Sequence, residues 1–370
     1  MNTEGINKRN SALDIIRVVA VFSVISVHFL RNIHFYSQPV VGTRLYIMCI
    51  MRTLFSVCVP LFIILTGYLM CKKTLSEKYY IGIKKTLLIY LLASICCILF
   101  NIFYLKTPYS AKDFVLNILN FKGAAYSWYI EMYIGLFLMI PFLNLIYNNL
   151  TNKKQKLILV FTFICLTALP SLFNIYNFSE TSWLRPSETA AFDKLIPGWW
   201  VNLYPITFYF AGCYIREYGL KLKTRTLAVL FIICTGIFGS FNYYRSYGTI
   251  FKTTPYINWS GFEPLILSVL LFTILCRIKG EKLPLAARRI LWKISDLALC
   301  MYLVSYIFDS YAYEKLNTMV NPMPMRLSYY FIIVPFVFVC SMILSAIITF
   351  AEKYIDLALT QIVYLFKRHA

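Results

Sequence analysis

Ten apolar runs, separated by short stretches that hold most of the charge, divide this sequence from end to end. They fall at about 13–31, 50–71, 86–105, 126–147, 157–175, 200–215, 226–243, 261–277, 295–312 and 328–351. About twenty apolar residues carry a helix through the roughly 30 Å hydrocarbon core of a bilayer. A soluble domain has no place for so many runs. Of 370 residues, 59% are hydrophobic and 14% charged, against about 45–50% and about 25% in a globular protein. Only lipid solvates that much apolar side chain, and in lipid the backbone must satisfy its own hydrogen bonds, as helices do. The expected fold is all-α: a polytopic membrane bundle of about ten transmembrane helices over residues 1–351. Residues 352–370 alternate charged and apolar groups at helical spacing and read as a cytoplasmic amphipathic tail along the interface. Short loops exclude a water-soluble enzyme, a nucleic-acid-binding domain and a large extramembrane module.

Charge orients the bundle. Lys and Arg number 36 against 16 Asp and Glu, a net charge of +20. With the N-terminus inside, inside segments carry 23 of those cations and outside segments 12. That bias follows the positive-inside rule and places both termini in the cytoplasm, so the basic excess reflects topology rather than nucleic-acid binding. The eleven cysteines lie mostly in apolar runs without a C-x-x-C pair, which argues against zinc or a disulfide framework. The first run contains Asp14 and Arg17 and lacks a small-residue cleavage site, so it reads as a membrane helix rather than a signal peptide. The longest loop, about 176–199, carries Glu180, Trp183, Arg185, Glu188 and Asp193, a mixture suited to a sugar-like ligand.

Ionisable groups inside a span cost roughly 2.5–3.5 kcal/mol each on insertion scales, so they face the bundle interior or a wet cavity. The first span holds three between Leu13 and Leu30. Asp14 and Arg17, three apart, can pair. Arg17 and His28, eleven apart, share a face about 16 Å from end to end. One reading makes Asp14 and Arg17 headgroup anchors and His28 a satisfied interior histidine. The other makes the face a cavity wall, with Arg17 holding an anion and His28 acting as general base, for which an imidazole near neutral pH is suited.

This D-x-x-R-x(10)-H pattern resembles the acyltransferase family 3 membrane proteins, bacterial integral-membrane O-acyltransferases of cell-surface glycans. Further stretches fit in order. Val59-Pro60 through Thr66-Gly67-Tyr68 is similar to the family's P-x-F-F-x-x-S-G segment, with Thr66 for Ser. Ser127-Trp128-Tyr129 through Pro141 resembles its tryptophan-led span. Tyr204-Pro205 through Gly212 resembles its mid-chain aromatic run, and Met301-Tyr302-Leu303-Val304-Ser305 its late I-Y-L-x-H. Two positions depart: Leu88 stands for the second arginine of an R-x-x-R pair associated with the acyl donor, and Ser305 for the late histidine. The soluble esterase-like extension that many members carry is not expected.

The resemblance implies an O-acyltransferase of the bacterial cytoplasmic membrane, multi-pass, with acetyl the commonest acyl group. Acetyl-CoA or another acyl-CoA would be a co-substrate, with no permanently bound cofactor and no metal. Arg17, Lys72, Lys73, Lys84 and Lys85 are the donor-binding candidates; His28, Arg17 and Asp14 are the catalytic ones. Trp128, Glu131, Glu263, Tyr302, Ser305 and Asp309 are candidates for the acceptor, a hydroxyl of a glycan or its lipid-linked precursor. The lipid bilayer is a partner, nucleic acid is not, and an oligomer is possible. A polysaccharide exporter or flippase is the alternative, and an idle scaffold a third.

Overall fold

A computed structural model describes residues 9–178, 187–189, 192–253 and 258–369, with side chains to 361. It is all-helical among these residues apart from two isolated bridges, Pro39 with Ile250 and Val40 with Tyr247. The helices are α1 (Ser11–Asn32), α2 (Thr43–Phe55), α3 (Cys58–Met70), α4 (Glu77–Ile81), α5 (Lys84–Phe103), α6 (Ala111–Leu119), α7 (Trp128–Asn149) and α8 (Lys153–Thr167). They continue with α9 (Leu169–Phe173), α10 (Tyr204–Tyr218), α11 (Thr224–Ser246), α12 (Phe262–Cys276), α13 (Leu285–Met319) and α14 (Tyr330–His369).

Helices occur at all ten predicted places, and 7 stretches among the described residues are long and apolar enough to cross a membrane. The short ones, α8, α10 and α12, have 15 residues each. Helix α10 is buried from Pro205 through Cys213, so protein rather than lipid surrounds it, as an all-round apolar helix requires. Pro205 and Pro264 do not interrupt their helices. Each sits in a first turn, where a missing N–H leaves no hydrogen bond unmade. The second span is broken: Pro60 cannot donate to the carbonyl four residues back, at Ser56, and α2 ends at Phe55 before α3 starts at Cys58. Helix α14 runs without a break past residue 351 to His369.

Asn10 caps α1 by accepting from the Ala12 N–H at 3.0 Å, and Asp14 complements the helix dipole in its first turn. The face where α1 starts, the proximal face, gathers Met70, Lys73 and Asn144 (2.8 and 2.7 Å). Arg216 meets Tyr68 there at 2.7 Å. The distal face gathers Asn32 with Asn317 (2.9 Å), Ile33 with Arg326 (3.0 Å) and Val40 with Thr249 (2.8 Å).

Lipid tails are as apolar as leucine, so packing and interhelical hydrogen bonds, about 0.6–2 kcal/mol each, hold such helices together. Ser26 bonds Tyr330 at 2.7 Å, Tyr209 donates to Asn144 at 2.7 Å, and Thr167 bonds Thr207 at 2.8 Å. Gly67 and Gly212 let α3 and α10 touch: a Cβ on either would collide with a carbonyl of the other helix. The sequence shows no glycine-spaced face within one helix; the close approach uses one glycine from each.

Candidate active site

Helices α1 and α13 build the site together. On α13, Ser295, Tyr302 and Asp309 are seven residues apart, about two turns, and so lie along one face. That stripe meets α1 at both ends.

At the proximal end, Asp14 is buried and accepts from Arg9 Nη2 at 2.7 Å and Arg9 Nε at 3.0 Å. Arg9 Nη2 also donates to Asp296 at 2.9 Å. Arg17 Nη1 reaches Asp14 at 3.4 Å and the Ser295 hydroxyl at 3.2 Å. Burial works against the charge on Arg9, but the hydrogen bonds and fields of Asp14 and Asp296 outweigh it and raise its pKa above the ordinary arginine value. The expected Asp14–Arg17 pair is present, and Arg9 joins it as a second and closer partner of Asp14; Arg17 also faces a cavity.

A cavity of about 610 Å³ opens at this cluster, walled by Arg9, Asp14, Arg17, Lys85 and Asp296 among others. A second, of about 190 Å³, shares Arg17, Thr86, Ser295, Asp296 and Leu299 with it and runs inward to Phe62, Tyr129, Tyr133 and Tyr302. Together they form one channel from a charged mouth to an aromatic end. Tyr302 closes it. Its hydroxyl donates to the backbone carbonyl of Tyr126, and its ring lies 5.9 Å from that of Tyr129 and 6.5 Å from the imidazole of His28.

Behind Tyr302, the His28 ring packs on Tyr126 at 3.6 Å. His28 Nδ1 lies 3.6 Å from Asp309 Oδ2, and the Tyr126 hydroxyl donates to that same oxygen at 2.9 Å. Asp309 is buried. Its Oδ1, like His28 Nδ1, has no hydrogen-bond partner among the described residues. At 3.6 Å the His28–Asp309 pair is just beyond bonding length, a looseness common in catalytic pairs before substrate arrives. Chemically, this is an imidazole backed by a carboxylate, set behind the ring that lines the inner cavity, while His28 itself is in the wall of neither cavity.

The remaining sequence candidates divide. Lys85 lines the channel. Lys84 pairs with Asp356 at 2.7 Å, Lys72 donates to Asn148 at 3.1 Å, and Lys73 is exposed; none of these three walls the channel. Ser305 is buried and donates to the Tyr302 carbonyl at 2.9 Å. Glu131 is exposed. Trp128 and Glu263 belong to a separate distal cluster. In the long loop, Glu180, Trp183 and Arg185 lie outside the described residues, while Asp193 accepts from the Phe178 N–H at 2.7 Å. Sequence reasoning missed Arg9, Ser295, Asp296, Tyr126 and Tyr129. The seven-residue spacing of Ser295, Tyr302 and Asp309 is the signal that could have found the α13 face.

A family model described as an acyltransferase domain matches residues 10–346. No curated protein and no solved structure matches the chain.

Proposed function

The chain belongs to acyltransferase family 3, and from that premise we propose that it is a membrane O-acyltransferase using acyl-CoA, with acetyl as the group moved. The observation that carries this reading is the channel from Arg17 to Tyr302 with His28 and Asp309 behind it. The proximal face is taken as cytoplasmic, in keeping with its excess of Lys and Arg. The donor's anionic nucleotide end docks at Arg17 and Lys85, while its thin pantetheine arm enters the channel. Tyr302 moves aside as the thioester arrives. The acceptor is a hydroxyl of a cell-surface glycan or its lipid-linked precursor, reaching His28 from the distal side of a bacterial cytoplasmic membrane.

With Nδ1 turned to Asp309, Nε2 of His28 is the nitrogen left for the acceptor. It takes the hydroxyl proton as the oxygen attacks the thioester carbonyl. The carbon–sulfur bond then breaks, an ester forms, and the imidazolium returns its proton to the departing CoA thiolate. Asp309 orients the ring and stabilises the imidazolium, with Tyr126 holding the carboxylate in place. Arg17 is a binding residue, and Asp14 acts through the arginines.

The test is acetyl-CoA binding to protein in nanodiscs, for wild type, Arg17→Ala and His28→Ala. Binding lost in the first variant and kept in the second is expected. Wild-type protein that binds no acyl-CoA would overturn the proposal.

A further inference from the structure

Arg52 on α2 is 7% exposed and about 13 Å of helix rise below the distal start of α2. Its Nε donates to the Tyr36 hydroxyl at 2.7 Å, and its guanidinium lies 5.4 Å over the Trp259 ring. No carboxylate among the described residues is within ion-pair distance of it. Its Nη1 is buried without a hydrogen-bond partner. Glu263, 3% exposed, interacts with Arg52 through space, but its Oε2 is held by Asn242 Nδ2 at 2.9 Å. The same Asn242 nitrogen donates to Thr53 at 3.0 Å, and Asn242 Oδ1 has no partner.

A buried guanidinium with an idle N–H is costly, and within a membrane such a group points to a functional site. Beside it stands an aromatic platform. Trp259 stacks on Trp128 at 6.2 Å and 15°, and Trp128 is 39% exposed. Trp128 meets Tyr129 at 6.3 Å, and Tyr129 meets Tyr302. A row of rings thus runs from this platform to the His28 site.

We propose that Arg52, Asn242 and the Trp128–Trp259 pair form a binding site for an acidic glycan. An anionic oxygen of the sugar takes Arg52 Nη1, a hydroxyl donates to Asn242 Oδ1, and the sugar ring lies on the exposed indole. The unpartnered Arg52 Nη1 suits a carboxylate or phosphate oxygen, because hydrogen bonds between charged groups are the strong kind. Naming this ligand the acceptor rests on the acyltransferase reading; the site itself does not.

The experiment uses the full chain in nanodiscs and follows tryptophan fluorescence on titration with glucuronate, glucose 1-phosphate and glucose, for wild type, Arg52→Gln, Arg52→Lys and Trp259→Phe. Saturable quenching by at least one of the two acids, and none by glucose at the same concentration, is expected. Loss of a hydrogen bond to a charged group should weaken binding about ten- to a hundred-fold in Arg52→Gln, less in Arg52→Lys. Equal response to glucose, no response to any of the three sugars, or wild-type affinity in Arg52→Gln overturns the proposal. Thermal unfolding of each variant reports folding, and acetyl-CoA binding in the same preparations tests the donor reading separately. If Arg52→Gln fails to fold, Trp259→Phe decides: it keeps the charge, and unchanged affinity there removes the platform. Acid-sugar binding without acyl-CoA binding would leave this site standing and sink the acyltransferase assignment.

Discussion

The two ends of the α1–α13 contact are built from the same kinds of residue but finished differently. At the proximal end, Arg9, Asp14, Arg17, Ser295 and Asp296 hydrogen-bond one another, and Asp14 has two arginines. At the distal end, His28 Nδ1 and Asp309 Oδ1 are buried with no hydrogen-bond partner. Saturated networks hold a shape. Unsaturated ones keep donor and acceptor capacity for a reacting molecule, at a cost of about 1–3 kcal/mol for each buried orphan. On the proposed reading, the difference separates an end that grips from an end that reacts.

Breaking the reactive end should cost most. His28→Ala is expected to lower turnover at least 10²–10⁴-fold, the usual contribution of a general base, with acyl-CoA binding kept; a rate within tenfold of wild type contradicts the assignment. Asp309→Asn keeps the shape and removes the charge behind the imidazole, and a fall in kcat of about a hundredfold with little change in donor KM is expected. If donor KM rises instead, Asp309 belongs to the binding end. Arg17→Ala should show the opposite pattern, donor KM up about ten- to a hundred-fold with kcat nearly constant, since a charged hydrogen bond is worth about 1.5–3 kcal/mol. Tyr302→Ala removes the stopper and should raise acceptor-independent hydrolysis of acetyl-CoA several-fold, measured as free CoA release. The smallest effect belongs to Lys72→Ala and Lys73→Ala, which lie off the channel and should change donor KM less than about twofold.

Much of this contrast was legible in the sequence. The apolar runs located the helices, and the charges that lipid would not tolerate located Arg17 and His28 on one face. What escaped was pairing between distant segments. Arg9 looks like one more topogenic cation until Asp296, from α13, closes on it. Asp309 reads as a residue near a helix end, and only the crossing of α13 over α1 sets it beside His28. Tyr126, two residues before Trp128, carries no motif at all. Its importance comes from a ring contact and a hydroxyl that the one-dimensional pattern does not encode. Lys84 shows another partner that the sequence does not announce. Its sequence position suggests donor binding, whereas α14 supplies Asp356 to engage it.

The stopper at the end of the channel also has an electrical meaning. A membrane at 100 mV exerts about 2.3 kcal/mol on each unit charge that crosses it. On the proposed reading, a protein that receives one substrate from each side and joins them at an imidazole is one continuous water file away from being a proton leak. Tyr302, pinned to the Tyr126 carbonyl and set against Tyr129, puts aromatic rings across that file. On the same reading these rings serve as insulation, keeping the energised membrane from discharging through its own catalyst.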